Sequence, residues 1–429
     1  MKTNDITIIP SEGAKKLAIL GGVPVINNLM RPAVPPPYVD ERMVEAIVKT
    51  TKSGIWCRIQ SATGTVATFE KEYAKLIGTK YCVTTGAGTQ ALSACVEALG
   101  IGAGDEVITS PYTDIGTISA ILFSRALPVM ADLDRESFQL DPDDVERRIT
   151  ENTRAIMPVH IGGQPANLER IMAIARKHNL KVIEDACQAH LTEYQGKKLG
   201  TIGDVGCFSF QASKYIACGE GGAVVGDDEA LMDKVYTVMN HGTSRKGRHE
   251  LIGPKYRMNE FEAALLLAQL EGVHERHYRR NENCWYMRRK LRDFPGVLPQ
   301  KLYEGTGSSS WWIFMTSYRK EHFNNAERSK FLKALSAEGV SAGSYIGSGF
   351  HKSEVINNHI LNLDIYKKMY SAERLKKYRD ELPLPNCDRA CNEEVLTLGS
   401  VPNTSMENLD KIYDAIIKVY ENRDKLNSL

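Results

Sequence analysis

Seven short β-rich runs separated by helical stretches fill the chain from Lys80 to Asp227, and this alternation constrains the fold more than any other feature. The runs are KYCVTT, DEVITS, LPVMADLD, TRAIMPVH, LKVIEDA, VGCFSF and GGAVVGD. Between them lie segments such as TQALSACVEALG and NLERIMAIARKH, whose apolar residues recur at helical spacing. Strands joined through helices run parallel, because the crossover carries the chain back before the next strand begins. The expectation is an α/β domain built on a mostly parallel seven-stranded sheet.

Past Asn259 the pattern changes. The segment EFEAALLLAQLEGVHERHYRRNENCWYMRRKLRD is mainly helical and predicts a spine leading out of the sheet domain. From about Gly296 the chain mixes a strand-like WWIFMTSYR with a helical ENLDKIYDAIIKVYENRD, the mark of a smaller α+β unit. The expected division is an N-terminal segment, residues 1–40, packing on the rest; a large domain, 41–275; and a small C-terminal α+β domain, 276–429.

A chain of 429 residues that is 42% hydrophobic and 25% charged can bury a large core. Its 54 basic and 53 acidic residues leave a net charge of +1, which supplies no general attraction to nucleic acid or to an anionic membrane. No apolar run is long enough to span a bilayer, and the opening MKTNDITIIPSEGAKK lacks the apolar core of a signal peptide. The nine cysteines are scattered, and Cys387 and Cys391 have the wrong spacing for a CxxC redox or zinc motif, so reduced thiols are expected. These features predict a cytoplasmic protein with no metal site and no nucleic-acid or membrane partner. Small-molecule chemistry is the class left standing.

In an open parallel sheet, ligands bind beyond the carboxyl ends of the strands. Five of those ends carry chemistry: Gly86 to Thr89, Pro111 to Asp114, His160, Asp185 to His190, and Ser209 to Lys214. The turn Gly86-Ala87-Gly88-Thr89 follows a strand and opens a helix, so it either offers free N–H groups to a phosphate or merely makes a tight turn. With Ala91 it also satisfies the dinucleotide pattern G-x-G-x-x-A, but the next strand ends in Thr109-Ser110-Pro111 and leaves no carboxylate for a ribose. Asp185 either stays ionised against a cation, such as a protonated pyridine nitrogen, or caps the next helix. The Lys214 amine points either into the same crevice or into solvent, and the Ser209 hydroxyl binds either a phosphate or the backbone.

In their order and spacing, GAGTQAL, EDACQAH, FSFQASK with GEGGAVV, and YRMNEFEAALLLAQL resemble the DegT/DnrJ/EryC1/StrS family of sugar aminotransferases, from about Leu17 to the C-terminus. The resemblance implies a fold-type I enzyme with a three-layer αβα large domain, acting as a homodimer whose active sites are shared between subunits. It implies pyridoxal 5′-phosphate (PLP) as cofactor, with pyridoxamine 5′-phosphate as its intermediate form. Residue by residue, Lys214 matches the lysine that forms a Schiff base with the cofactor, and Asp185 matches the partner of its pyridine nitrogen. Gln188 matches the residue near its phenolic oxygen, and Gly88, Thr89 and Ser209 match the phosphate cradle. The implied reaction is ping-pong: an amino donor leaves as a keto acid, and a ketone then takes the amino group.

Two positions depart from the family pattern. Asp114, in PYTDIGT, stands where the family commonly stacks an aromatic ring on the cofactor, which leaves that role to another residue such as Tyr112. Lys255, in Gly253-Pro254-Lys255-Tyr256-Arg257, stands where the family commonly has an asparagine reaching the neighbouring subunit's cofactor phosphate. The segments LAILGGVPV and SGIWCRIQSATGTVATFEKEYAKLIG resemble the subgroup of cyclitol (inosose) aminotransferases and aminohydroxybenzoate synthase. That resemblance implies a keto-sugar or keto-cyclitol acceptor and glutamine or glutamate as donor. Trp56, Arg58, Tyr112, His160 and His241 are the candidates to line the substrate pocket, each weighed against ordinary core packing. Two alternatives stand beside this reading: a nucleotide-keto-sugar aminotransferase and, from another class, a PLP-binding regulatory protein without turnover. A dehydratase relative is disfavoured, because that branch typically replaces the Schiff-base lysine by histidine.

Overall fold

The computed structural model describes residues 16–30 and 37–429. All seven runs form strands: β1 (Tyr81–Thr85), β2 (Glu106–Thr109), β3 (Leu127–Met130), β4 (Thr153–Met157), β5 (Lys181–Asp185) and, after a hairpin of β6 (Glu193–Tyr194) and β7 (Lys197–Lys198), β8 (Val205–Ser209) and β9 (Gly222–Gly226). They make one sheet in the order β1-β9-β8-β5-β4-β2-β3. Within it β9 runs against both neighbours, β1 and β8, because the segment after Ser209 turns straight back with no helix to carry a crossover. The remaining pairs are parallel. The expected α/β fold of type I is therefore present.

The helices around the sheet are α1 (Glu41–Ser53), α2 (Thr65–Ile77), α3 (Gly88–Ala98), α4 (Ile115–Phe123), α5 (Pro142–Arg147), α6 (Leu168–His178), α7 (Glu229–Met239), α8 (Glu260–Leu270) and α9 (Val273–Leu291). Successive strand residues point to opposite faces, and they enter different cores here. Ile183 and Val107 join α3, α4 and α7, while their neighbours Val182 and Ile108 join α5 and α6. Toward β1 the second face is closed by α2 and α8, where Phe69, Tyr73 and Leu266 meet Phe208 and Val225. Each fully buried Val, Ile, Leu or Phe contributes ~1.5–3 kcal/mol. Burial on both faces thus holds the carboxyl ends of the parallel strands level at one edge.

The helical stretch after Asn259 is two helices instead of one spine. Gly272 takes φ +89, a conformation open mainly to glycine, and separates α8 from α9. Asn259 starts α8 with a capping box: its Oδ1 accepts from the Phe261 and Glu262 N–H groups, and the Glu262 carboxylate accepts from the Asn259 N–H.

Beyond α9, β10 (Val297–Pro299), β11 (Met315–Tyr318), β12 (Ala342–Gly343) and β13 (Val395–Leu398) form a small antiparallel sheet in the order β10-β11-β13-β12. The helices of this part are α10 (Arg328–Ala337), α11 (Asp364–Met369), α12 (Ala372–Asp380), α13 (Pro385–Arg389) and α14 (Met406–Glu421). α10 and α14 share one apolar core with the small sheet, and Leu17 and Met30 of the N-terminal segment enter it. The Ala18 and Val25 N–H groups donate to the buried Glu338 carboxylate at 2.8 and 3.1 Å, and Lys418 Nζ pairs with the same carboxylate at 2.8 Å. Residues 1–15 and 31–36 of that segment lie outside the described residues.

α11 and α12 leave the small sheet and lie over the β3 edge of the large one. Tyr370 Oη donates to the Asp105 carbonyl at 2.6 Å, Tyr378 Oη to the Pro128 carbonyl at 3.1 Å, and Arg374 Nε to the buried Glu106 carboxylate at 2.5 Å. Covering β3 in this way removes an open strand edge that could pair with another chain. Among the described residues, no helix is long and apolar enough to cross a membrane.

Candidate active site

A cavity of about 470 Å³ opens at the carboxyl ends of β1, β5 and β8, and Gly88, Thr89, Asp185, Gln188, Ser209 and Lys214 all line it. Its floor is the start of α3. The chain enters that helix through Ala87, which has no side chain able to cap it, so the first N–H groups of α3 keep no helical partner. The positive end of the helix dipole therefore meets the cavity uncompensated. Gly88 is required by space: an added Cβ would lie 2.7 Å from Ser209 Cβ and 3.2 Å from Cys187 Sγ. Gly222 of β9 is as tight, with its hypothetical Cβ 2.4 Å from the Ala87 carbonyl oxygen, so the strand seats the turn closely.

Ser209 ends β8, and its carbonyl accepts from His190 Nε2 at 2.9 Å while Tyr73 Oη lies 2.9 Å from His190 Nδ1. Burial lowers His190 to about 4. The ring is therefore neutral, Nε2 carries the hydrogen, and Tyr73 donates to Nδ1.

Asp185 ends β5 and is 4% exposed. It caps no helix, since a turn follows. Its Oδ2 accepts from Thr117 Oγ1 at 2.7 Å and its Oδ1 from the Cys187 N–H at 3.2 Å. With the Thr117 hydrogen so engaged, Thr113 Oγ1, 2.7 Å away, donates to Thr117. The carboxylate is oriented by two donors and keeps lone pairs free for a cation in the cavity.

After Ser209 the chain turns back on itself, the Lys214 N–H donating to the Gln211 carbonyl at 2.8 Å and the Ala212 N–H to the Gly219 carbonyl at 2.9 Å. This turn carries Lys214 Nζ to 4.2 Å from the centre of the Trp312 indole. Trp312 in turn donates Nε1–H to the Ser213 carbonyl at 2.9 Å and meets the Tyr345 ring edge-on at 5.4 Å. Tyr345 Oη accepts from Gln188 Nε2 at 2.9 Å, and Gln188 Oε1 accepts from the Gly162 N–H at 2.8 Å. One Gln188 amide hydrogen remains to be given to a ligand. Burial pushes the Tyr345 phenol well up, so it stays protonated.

Thr117, Trp312 and Tyr345 escaped the sequence reading. Thr117 was within reach, because it follows Thr113 by four residues at a helix start and so shares its face. Trp312 and Tyr345 come from the small-sheet part of the chain, and no local pattern ties them to Lys214. The run WWIFMTSYR read as one strand is strand only at Met315–Tyr318, because Trp311 takes φ +45. A left-handed conformation costs a bulky residue on the order of 1–3 kcal/mol. Surrounding bonds hold it: Asn281 Oδ1 accepts from Trp311 Nε1 at 3.1 Å, and Arg280 donates to the Ser310 and Trp311 carbonyls at 2.7 and 2.8 Å.

Other candidates lie elsewhere. His160 is fully buried, bonded through Nε2 to Glu184 at 3.0 Å and accepting the Ala166 N–H at Nδ1, and it does not reach the cavity. Burial alone would raise the Glu184 carboxyl, but His160 and the Gly203 and Gly200 N–H donors hold it below its ordinary value. Tyr112 is buried under the Tyr345 ring, 6.1 Å away and edge-on, so Trp312 and not Tyr112 is the aromatic side chain that borders the cavity beside Tyr345. Asp114 stands exposed at the cavity wall and caps α4 through the Gly116 N–H at 2.8 Å. Trp56, 51% exposed, donates to the Thr51 carbonyl; Arg58 pairs with Glu70 at 2.5 Å and covers the Tyr236 ring. His241 and Lys255 are exposed on the segment between α7 and α8. None of these four lines the cavity within one chain.

The residues that do converge fit PLP. An uncapped helix start with a glycine-cleared floor suits a phosphate, a buried two-donor carboxylate suits a protonated ring nitrogen, and a lysine amine beside both suits an aldehyde.

The sequence profile of the DegT/DnrJ/EryC1/StrS aminotransferase family matches residues 37–417. The chain is 31% identical over 430 residues to the L-glutamine:scyllo-inosose aminotransferase of Streptomyces griseus, covering 95% of this chain and 98% of that protein. It is 34% identical over 319 residues to the GDP-perosamine synthase of Caulobacter vibrioides, covering 74% and 85%. The crystal structure of DesI with its TDP-sugar product superposes with a TM-score of 0.79 at 26% identity, covering 96% of this chain and 98% of that one. Sequence order, sheet topology and the contents of the cavity agree, and with the match running through almost the whole length, the chain belongs to the DegT/DnrJ/EryC1/StrS family as a PLP-dependent aminotransferase.

Proposed function

We propose that this aminotransferase moves an amino group from glutamine or glutamate to a keto-cyclitol of the inosose type or a keto-sugar, with Lys214 and Asp185 as its catalytic residues. The observation that carries the reading is the meeting of the Lys214 amine, the Asp185 carboxylate and the uncapped start of α3 in one cavity. PLP, when bound, supplies an electron sink for the α-carbon of the donor. Gly88, Thr89 and Ser209 would hold the phosphate, and Gln188 would give its remaining amide hydrogen to the phenolic oxygen. Asp185, held by Thr117 and Cys187, keeps a proton on the ring nitrogen. Lys214 Nζ would take the α-proton of the donor and pass it to the bound cofactor, and in the second half-reaction would carry a proton back from the cofactor to the former carbonyl carbon of the acceptor. Trp56, His241 and Lys255 would serve the cavity of the neighbouring subunit in a homodimer, consistent with their position outside the cavity of their own chain, while Arg58 is taken up by Glu70 and Tyr236.

Near full-length similarity to a glutamine:scyllo-inosose aminotransferase supports the cyclitol acceptor. A second reading, a nucleotide-linked keto-sugar, is favoured by the similarity to GDP-perosamine synthase. Single-turnover assays of the amine-loaded enzyme with scyllo-inosose and with a GDP- or TDP-linked 4-keto-sugar separate them. Faster return of the aldehyde form with the cyclitol is the expected result; response to the nucleotide sugar alone replaces the first reading by the second.

A further inference from the structure

The Lys214 amine has a defined partner within its own chain, the face of the Trp312 indole. We infer that the Trp312 indole is a seat for the Lys214 ammonium: a positioning residue that holds the lysine once its freed amine has taken up the α-proton of the donor. This rests on the assignment of Lys214 made above. The geometry is direct, Nζ lying 4.2 Å from the ring centre, within the range in which the face of an indole attracts a cation.

The rest of the loop shows that the ring is held for this position. Its Nε1–H is fixed on the Ser213 carbonyl, the residue next to Lys214, so ring and lysine backbone move together. Its edge contact with Tyr345 links it to Gln188 in the cavity wall. The chain enters Trp312 through the left-handed Trp311, and buried Arg280 binds the carbonyls on either side of that strained step. An ammonium seated on an indole stays within reach of the cavity without the desolvated ion pair that Asp185 would otherwise form with it, leaving that carboxylate to the ring nitrogen.

The test uses the cofactor-free protein first. Pulse labelling of Lys214 by acetic anhydride, read by mass spectrometry of its peptide, reports how strongly the amine is held. Trp312→Leu should label about three- to tenfold faster than the native protein, and Trp312→Phe, which keeps a weaker aromatic face, should fall between them. In the PLP-loaded protein, the glutamine half-reaction should slow in the same order while KM for glutamine changes less than about twofold. Equal labelling of Trp312→Leu and native protein overturns the seat. So does identical behaviour of Trp312→Phe and Trp312→Leu, since a packing role does not distinguish an aromatic face from equal apolar bulk. Labelling needs no cofactor, so a failure of the seat is separable from a failure of the Lys214 assignment, which Lys214→Ala tests in the loaded protein.

Discussion

In the proposed reaction Asp185 would work only as well as its carboxylate is aimed, and at the scale of single residues Thr117 makes the shorter of its two bonds, at 2.7 Å and backed by Thr113. Thr117→Val keeps the shape and removes the donor. A hydrogen bond to a charged group contributes ~1.5–3 kcal/mol, so PLP affinity should fall by about tenfold or more with little change in thermal midpoint. A fluorescence titration of cofactor into the cofactor-free variant measures this, and unchanged affinity would show that Thr117 does not orient Asp185. The residues that the sequence analysis named and the cavity brings together, Gly88, Thr89, Asp185, Gln188, Ser209 and Lys214, share one property: each lies at or just past the carboxyl end of a strand, where parallel topology puts ligands. Trp312 and Tyr345 were hidden because their role depends on which loop of the small-sheet part returns to the strand ends. His160 misled for the opposite reason, being just past a strand yet turned into the core to satisfy Glu184.

At the scale of elements, the carboxyl end of β8, where Ser209 lies, is held by a neutral histidine. His190 is fully buried, and burial holds it at about 4 against an ordinary 6.5. Between those values the unfolded chain binds the proton and the folded chain does not, so stability rises with pH there. The contribution is fully present above about pH 6.5 and is lost as pH falls toward 4, up to ~3 kcal/mol for this residue. Burial lowers His277 to about 4 as well, which acts in the same direction. Urea unfolding between pH 7 and 4.5 should show this loss, and His190→Gln should flatten it; equal slopes would remove His190 as the cause. The strands of the large sheet were legible because a short apolar run bounded by helices has one use. The path of α11 and α12 across β3 was not, because an amphipathic pattern marks a buried face without naming what covers it. The break at Gly272 is local, a glycine at positive φ inside a helical pattern, whereas the one at Trp311 is held by Asn281 and Arg280, contacts that a local pattern cannot carry.

At the scale of the whole molecule, one chain supplies the cradle, the carboxylate and the amine, and leaves Trp56, Arg58, His241 and Lys255 outside its own cavity. In the homodimer proposed above, sites shared between subunits would give Trp56, His241 and Lys255 their role. Lys255→Ala should then weaken PLP binding through the neighbouring cavity, and mixing it with Lys214→Ala under subunit exchange should return part of the glutamine half-reaction that neither variant supports alone. No recovery in a verified mixed dimer would confine each site to one chain. The most direct test of the account is the visible absorption spectrum of the purified protein with PLP, before and after glutamine or glutamate, beside Lys214→Ala. The account predicts a visible band of bound cofactor that the donor bleaches and that Lys214→Ala does not form in the same way; absence of the band in the native protein, or a band that no amino donor changes, would contradict it.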